Sequence, residues 1–167
     1  MKTPELCMIA AIDEARGLGR DNSLLWRIPE DMKHLQELTV PHSVIMGRKT
    51  FDSLHPKFRP LPRRHNFVIT RNPNFSYERT NITHSLDEAL KLAMEFEDTR
   101  IAIIGGGEIY NQALPYVNSL YLTLVQGTYD VDTYFPEYSQ QFPHIVEESD
   151  WMESKEHWYK FVTLDRG

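Results

Sequence analysis

Short apolar runs of strand length alternate along this chain with stretches patterned for helices, and that alternation restricts the fold more than any other feature. Leu6 to Ile12 reads as a buried first strand, followed by a loop with Gly17 and Gly19 and a helix from Pro29 to about Thr39. Ser43 to Gly47 is a short strand feeding a helix from Arg48 to Leu54. A Pro-rich connection (Pro56, Pro60, Pro62) then leads to a strand over Asn66 to Thr70 and a turn at Asn72-Pro73-Asn74. Ser85 and Glu88, at capping-box spacing, open a helix to about Glu95. Arg100 to Ile104 is another strand, ending in Gly105-Gly106-Gly107 and a helix from Glu108 to Leu114 that stops near Pro115. Ser119 to Gln126 and Lys155 to Leu164 are long β-branched and aromatic stretches with no convincing helix between them, which predicts an antiparallel edge. The expectation is α/β: a single domain over residues 1–167, with a mixed, mostly parallel central sheet, about four flanking helices and an antiparallel C-terminal edge.

At 167 residues, with 41% hydrophobic content and no internal repeat, the chain suits one well-cored domain. Its longest apolar runs fall far short of a bilayer span and its start lacks a secretory pattern, so a cytoplasmic protein with no membrane partner is expected. The lone Cys7, among Leu6, Met8 and Ile9, reads as a buried strand residue. Seven scattered histidines lack the spacing of a metal site, and no metal is expected.

Charge is uneven. Between Val44 and Arg71 stand seven bases and one acid, a local +6 against −12 in the remainder. The segment is either a solvated basic surface or an anion site. The surrounding acidity disfavours nucleic acid and favours a compact polyanionic small molecule.

The helix beginning at Pro29 carries a misplaced acid. A ridge joins Asp31 and Met32 to Leu35 and Leu38, while Glu30, Lys33, His34 and Glu37 occupy the wet side. Asp31 is either a first-turn acid favoured by the helix dipole or a buried carboxylate awaiting a ligand with adjacent N–H donors.

Three strand-to-helix junctions suit phosphates, because ligands of open α/β sheets gather beyond the carboxyl ends of the strands. They are Met46-Gly47-Arg48-Lys49-Thr50, Thr70-Arg71, and Gly105-Gly106-Gly107-Glu108. Together they suggest a dinucleotide with an additional phosphate, although the glycines are also explained by a crowded turn. The Rossmann fingerprint is absent, since Tyr110 stands where its last glycine belongs.

The residues Ile9-Ala10-Ala11, Gly17 to Asn22 with Leu25 to Pro29 and Asp31, Val44 to Phe51, Arg64-His65-Asn66, Ile104 to Tyr110, and Asp132 to Pro136 are similar to the dihydrofolate reductase family, over nearly the whole chain and in the family's order. Aspartate at position 31 resembles bacterial members. The resemblance implies NADPH-dependent reduction of 7,8-dihydrofolate to tetrahydrofolate, with hydride delivered to pterin C6 and a proton to N5, in a monomer open to antifolates.

The same resemblance implies roles. Asp31, Trp26, Thr123 and Tyr110 would serve catalysis, with Asp31 pairing to the pterin 2-amino and ring N–H groups and Thr123 supporting it. Ile9, Ala11, Met32, Leu35, Leu54 and Ile104 would wall the substrate, and Arg64 would grip its α-carboxylate. Ala11, Ile12, Gly19, Asn22, Leu24, Gly47, Arg48, Lys49, Thr50, Thr70 and Arg71 would hold NADPH, together with Ile104, Gly105, Gly106, Gly107, Glu108, Ile109 and Tyr110. Residues 13–24 resemble a mobile lid, and Gly105-Gly106 is expected to be cis. Thr123, Arg64, Tyr110 and Trp26 also have plain readings as a strand threonine, a surface cation and packing aromatics. Leu25, Leu35 and Arg63 depart from the family's usual proline, phenylalanine and glycine, and residues 55–59 lengthen a loop. The related NADPH-dependent reductase domain of riboflavin synthesis shares the fold, and a small nucleotide-binding or RNA-binding module would use the basic stretch; Asp31 after Trp26 and Arg64 argue against the former.

Overall fold

The computed structural model describes residues 3–20, 23–24 and 28–167. In chain order it contains β1 (Glu5–Ile12), β2 (Gly17–Arg20), β3 (Ser23–Leu24), α1 (Pro29–Thr39), β4 (Ser43–Gly47), α2 (Arg48–Ser53) and a 3-10 turn (Pro56–Phe58). These are followed by β5 (His65–Ile69), β6 (Thr80–Thr83), α3 (Leu86–Met94), β7 (Arg100–Ile103), α4 (Gly107–Ala113) and β8 (Ser119–Val125). Last come β9 (Thr133–Tyr134), β10 (His144–Glu148), β11 (Met152–Ser154) and β12 (His157–Asp165).

The main sheet runs in the order β10-β12-β8-β1-β7-β4-β5-β6, with β11 paired to β12. From β6 to β8 every pairing is parallel. β12 then runs antiparallel to β8, and β10 antiparallel to β12. The expected mixed sheet, its four helices and its antiparallel edge are therefore present among the described residues.

Alternation with a period of two explains why the inner strands are covered on both faces. Met8, Ala10 and Ile12 of β1 join Ile45, Phe67, Ile101, Ile103, Leu120 and Leu122 on the face covered by α3 and α4. Cys7 and Ile9 join Val44, Met46, Val68 and Ala102 on the other face, where Leu35 and Leu38 of α1 and Phe51 of α2 pack. Cys7 is fully buried and burial pushes its thiol far up, so it is the inert strand residue the sequence suggested.

Six strands were not anticipated: β2, β3, β6, β9, β10 and β11. Residues 17–20, read as loop, form β2 in a small antiparallel sheet of order β3-β2-β9. β10 is exposed at every residue, and β6 is a short polar edge strand, so neither has a fully buried face to leave a period-two signature. The Ser85 cap also differs from the expected reciprocal box: Ser85 Oγ accepts from Glu88 N–H, but the Glu88 carboxylate accepts from the N–H of His84 rather than from Ser85.

At the amino ends of the strands a polar cluster ties four elements together. Glu5 accepts from Arg100 Nε at 2.6 Å, from Ser119 Oγ at 2.6 Å and from the Tyr121 hydroxyl at 2.7 Å. Arg100 also donates to the carbonyl of Leu38 near the end of α1 at 2.8 Å. Burial works to raise the Glu5 carboxyl, but the bonds from Ser119, Tyr121 and Arg100 hold it below its ordinary value.

Two substitutions should separate packing from capping. Phe67→Ala, which empties a fully buried ring site, should cost about 3–5 kcal/mol in urea unfolding. Ser85→Ala should cost about 1 kcal/mol, confined to one helix cap.

Candidate active site

Pro29 at the first turn and the buried Ile28 before it fix where α1 begins. Ile28 packs with Val125 and Tyr159, Leu35 and Leu38 pack lower down, and the helix thus lies across one sheet face. That placement brings Asp31 over β8, where Thr123 is directly opposite Ala11 of β1. The Thr123 hydroxyl, itself buried, donates to Asp31 Oδ1 at 2.5 Å. Asp31 is half-buried, and burial pushes its carboxyl above the ordinary range; the Thr123 bond and the nearby His34 oppose this.

Two expectations about this helix are corrected. Met32 was placed on the inner ridge beside Asp31 and is instead 54% exposed. His34 was placed on the wet side and is half-buried, with its ring stacked on Phe161 at 3.9 Å between centroids. The cause is β12: it lies next to β8 with Phe161 opposite Thr123, and so covers a flank of α1 that helical spacing alone cannot identify. Burial lowers the affinity of His34 for its proton, opposed by Asp31, Glu37 and Glu147.

The sheet order puts the three phosphate-suited junctions side by side, since β7, β4 and β5 are neighbours. The Gly47 N–H donates to the carbonyl of Gly105 at 2.8 Å, joining two of them directly. Gly105-Gly106 is cis, as the resemblance implies. A Cβ at either glycine would come within 3.3 Å of Thr50 Oγ1, and one at Gly47 within 3.4 Å of Ile109. At Gly107 an added Cβ would meet Thr133 Cγ2 at 2.7 Å, so there packing against β9 explains the glycine.

Arg48 pairs with Asp52 at 3.1 Å and lies 3.9 Å over the Phe75 ring. Arg71 is almost wholly exposed and pairs with Glu108 at 3.5 Å, while Lys49 is exposed and Thr70 buried. Tyr110 is buried and donates to the carbonyl of Ile9 at 2.6 Å; burial, with Asp31 nearby, pushes its hydroxyl far up.

Ile9, Leu35, Leu54 and Ile104 all belong to the apolar cluster on the Asp31 side, Ala11 packs with Ile28, Val125 and Tyr159, and Ile12 faces the opposite core. Arg64 is half-buried, its Nε donating to the carbonyl of Pro62 and a terminal nitrogen to Thr39 Oγ1, both at 2.9 Å. Thr39 was not singled out from sequence; a hydroxyl in the last turn of a helix carries no signal of the cation it will meet. Gly19 is buried in β2, opposite Leu24 and Thr133. Asn22, Trp26 and the side chain of Leu24 lie outside the described residues, as does part of the expected lid. Within residues 13–20, Asp13 is buried and accepts from the N–H groups of Ala15, Gly17 and Tyr129. Among the described residues no cluster of metal-ligating side chains occurs and no helix is long and apolar enough to cross a membrane.

Residues 5–166 match the family model described as dihydrofolate reductase. The chain is 38% identical over 163 residues to the dihydrofolate reductase type 3 of Salmonella typhimurium, covering 96% of this chain and 98% of that protein. It is 36% identical over 149 residues to the dihydrofolate reductase of Staphylococcus haemolyticus, covering 89% and 82%. Among solved structures, the dihydrofolate reductase from Enterococcus faecalis complexed with NADP(H) and RAB-propyl superposes with a TM-score of 0.84 at 29% identity, over 97% of this chain and 96% of that one.

The raised carboxyl at position 31 has a signed consequence for stability. In the window between its unfolded and folded values the native state holds the proton more tightly, so stability falls as pH rises through that window and the charge is fully unfavourable above it. Asp31→Asn should therefore melt at a higher temperature than wild type at neutral pH, with the gap closing in acid. Thr123→Val, which removes the opposing hydrogen bond, should raise the Asp31 titration further, read by carboxyl NMR.

Proposed function

The chain belongs to the dihydrofolate reductase family, and we propose that the face holding Asp31, together with the junctions at Gly47 and Gly105, is where it reduces 7,8-dihydrofolate to tetrahydrofolate with NADPH. The observation that carries this reading is the Asp31 carboxylate, half-buried on an apolar face, with the Thr123 hydroxyl as its hydrogen-bond partner among the described residues. A planar heterocycle offering a 2-amino group and a ring N–H supplies two donors to one carboxylate, and such a bidentate, charge-assisted pair offsets the cost of burying the charge. The negative charge then favours a proton at the pterin N5. Ile9, Ala11, Leu35, Leu54 and Ile104 furnish the apolar walls, Met32 the outer rim, and Arg64, oriented by Thr39 and Pro62, the fork for the tail carboxylate.

The residues present fit the dinucleotide. Gly47, Gly105 and Gly106 leave backbone bare where side chains would crowd Thr50 and Ile109. Arg48, Lys49, Thr70 and Arg71 supply cations and hydroxyls beside that surface, where an adenosine 2′-phosphate needs them. NADPH, when bound, supplies the hydride that the pterin C6 accepts. Tyr110 holds the glycine turn against β1, and Ile12, Gly19, Glu108 and Ile109 complete the surround, with Asn22, Leu24 and Trp26 assigned to it from the sequence alone. The main sheet, which draws on strands from β1 to β12, supports a single domain; a cytoplasmic monomer without nucleic acid or membrane is proposed from the sequence alone.

The direct test is oxidation of NADPH on addition of dihydrofolate, followed in absorbance. Asp31→Asn should lose most turnover at neutral pH, at least about a hundredfold, and recover part of it in acid, where the substrate protonates unaided. Full activity of that variant at neutral pH would defeat the assignment. Replacing Arg48 and Arg71 together by glutamine should weaken NADPH more than NADH, and equal losses in a binding titration would remove the 2′-phosphate reading.

A further inference from the structure

Arg48 and Arg71 are both assigned to the added phosphate of the dinucleotide, yet the fold restrains them very differently. The Arg71 side chain is 94% exposed, and its pair with the exposed Glu108 at 3.5 Å is a surface contact of the kind that contributes little. The Arg48 side chain is 37% exposed and held from two directions. Its Nε donates to Asp52, one turn further along α2, at 3.1 Å, and its guanidinium carbon lies 3.9 Å from the centre of the Phe75 ring. These contacts occupy Nε and one face of the fork. Among the described residues its terminal nitrogens meet no acceptor, so their N–H groups are left for an anion.

Phe75 is itself fixed in place. It is half-buried among the exposed Arg71, Asn72, Pro73, Asn74 and Ser76. Three hydrogen bonds fold that turn: Asn72 N–H donates to Thr70 Oγ1 at 3.1 Å, Asn74 N–H to Asn72 Oδ1 at 2.9 Å, and Phe75 N–H to the Asn72 carbonyl at 3.3 Å. The ring meets the buried Phe51 in an edge contact, 6.2 Å between centroids and 83° between planes. Phe51 and Arg48 are neighbours on one side of α2, so a single ring touches both. Packing on Phe51 explains an apolar residue at position 75, which leucine would satisfy. Only an aromatic ring also offers a guanidinium a face rich in π electrons.

We propose that Phe75 is a positioning residue for the choice of dinucleotide: by holding the Arg48 guanidinium in place it makes Arg48, rather than Arg71, the cation that distinguishes NADPH from NADH. This rests on the NADPH reading above. Phe75 needs no contact with the dinucleotide to act in this way. An arginine free in solvent loses rotamer freedom when it grips a phosphate, whereas one already clamped between Asp52 and a ring has less to lose. The difference falls on the 2′-phosphate alone, because NADH carries no group there for the fork to meet.

Calorimetric titration of the full chain with NADPH and with NADH, in the absence of substrate, tests this. Wild type should bind NADPH the more tightly. Phe75→Leu should weaken NADPH about three- to fivefold, the size of a partly exposed cation–π contact, and leave NADH unchanged. Phe75→Tyr, which keeps the ring, should retain the wild-type ratio of the two Kd values. In an Arg48→Gln background Phe75→Leu should no longer move that ratio, since the ring then has no cation to hold; in an Arg71→Gln background it should move it as in wild type. Phe75→Met, apolar and without a ring, carries the same expectation as leucine and replaces it should a thermal melt show the leucine variant unfolded. Equal weakening of both dinucleotides, a ratio unchanged by losing the ring, or an effect that persists in the Arg48→Gln background overturns the proposal. A wild type that binds the two dinucleotides alike, or an Arg48→Gln variant that keeps the full preference, overturns the 2′-phosphate assignment as well, and those arms separate the two failures.

Discussion

A carboxylate held half out of water on an apolar face is the constraint around which the rest of this molecule is arranged. Charge in such a place is unfavourable unless hydrogen bonds or a ligand compensate it, and Thr123 compensates only in part: the Asp31 carboxyl remains above its ordinary range. Everything that keeps α1 in position therefore also keeps the charge there. Ile28 anchors its start among Val125 and Tyr159, Leu35 and Leu38 pin its middle, and Arg100 and Arg64 bind its last turn through the Leu38 carbonyl and the Thr39 hydroxyl. Helix α1 is thus clamped at both ends with its acid facing inward near the start.

Strand register completes the arrangement. Ala11 and Thr123 are paired neighbours, and Phe161 is paired with Thr123 on the next strand. Odd-numbered residues of β1 and β8 consequently share the face that α1 covers. A shift of one residue in β8 would turn Thr123 to the other face and bring a leucine under Asp31, leaving the carboxylate without its hydroxyl. The long antiparallel pairing with β12 is what makes such a slip costly.

Much of this was legible in the sequence because the inner strands announce themselves: β1, β4, β5, β7 and β8 are runs of buried apolar residues separated by turn and cap residues, and their ends were placed within a residue or so. Asp31 was legible as an inward-facing acid, and the glycine triplet as a turn, for the same local reasons. What stayed hidden depends on partners distant in sequence. His34 is covered because β12 arrives from the far end of the chain, Thr39 matters because Arg64 reaches it, and β10 has no inward face of its own. Helical spacing gave Met32 the wrong side because it resolves a face only to about one residue's rotation, 100°.

Tyr110 links the two halves of the proposed site. Its hydroxyl is buried, which pushes its ionisation up, and it donates to the carbonyl of Ile9 on the central strand. Such a donor is tied to backbone rather than to a side chain. It can fix distance. Tyr110 follows the glycine turn within α4, and Ile9 precedes Ala11, the register partner of Thr123. One hydrogen bond therefore references the junction that would carry the dinucleotide to the strand beside Asp31. Hydride transfer needs that kind of fixed separation, because a misplacement of an ångström between donor and acceptor removes much of the advantage of holding them together.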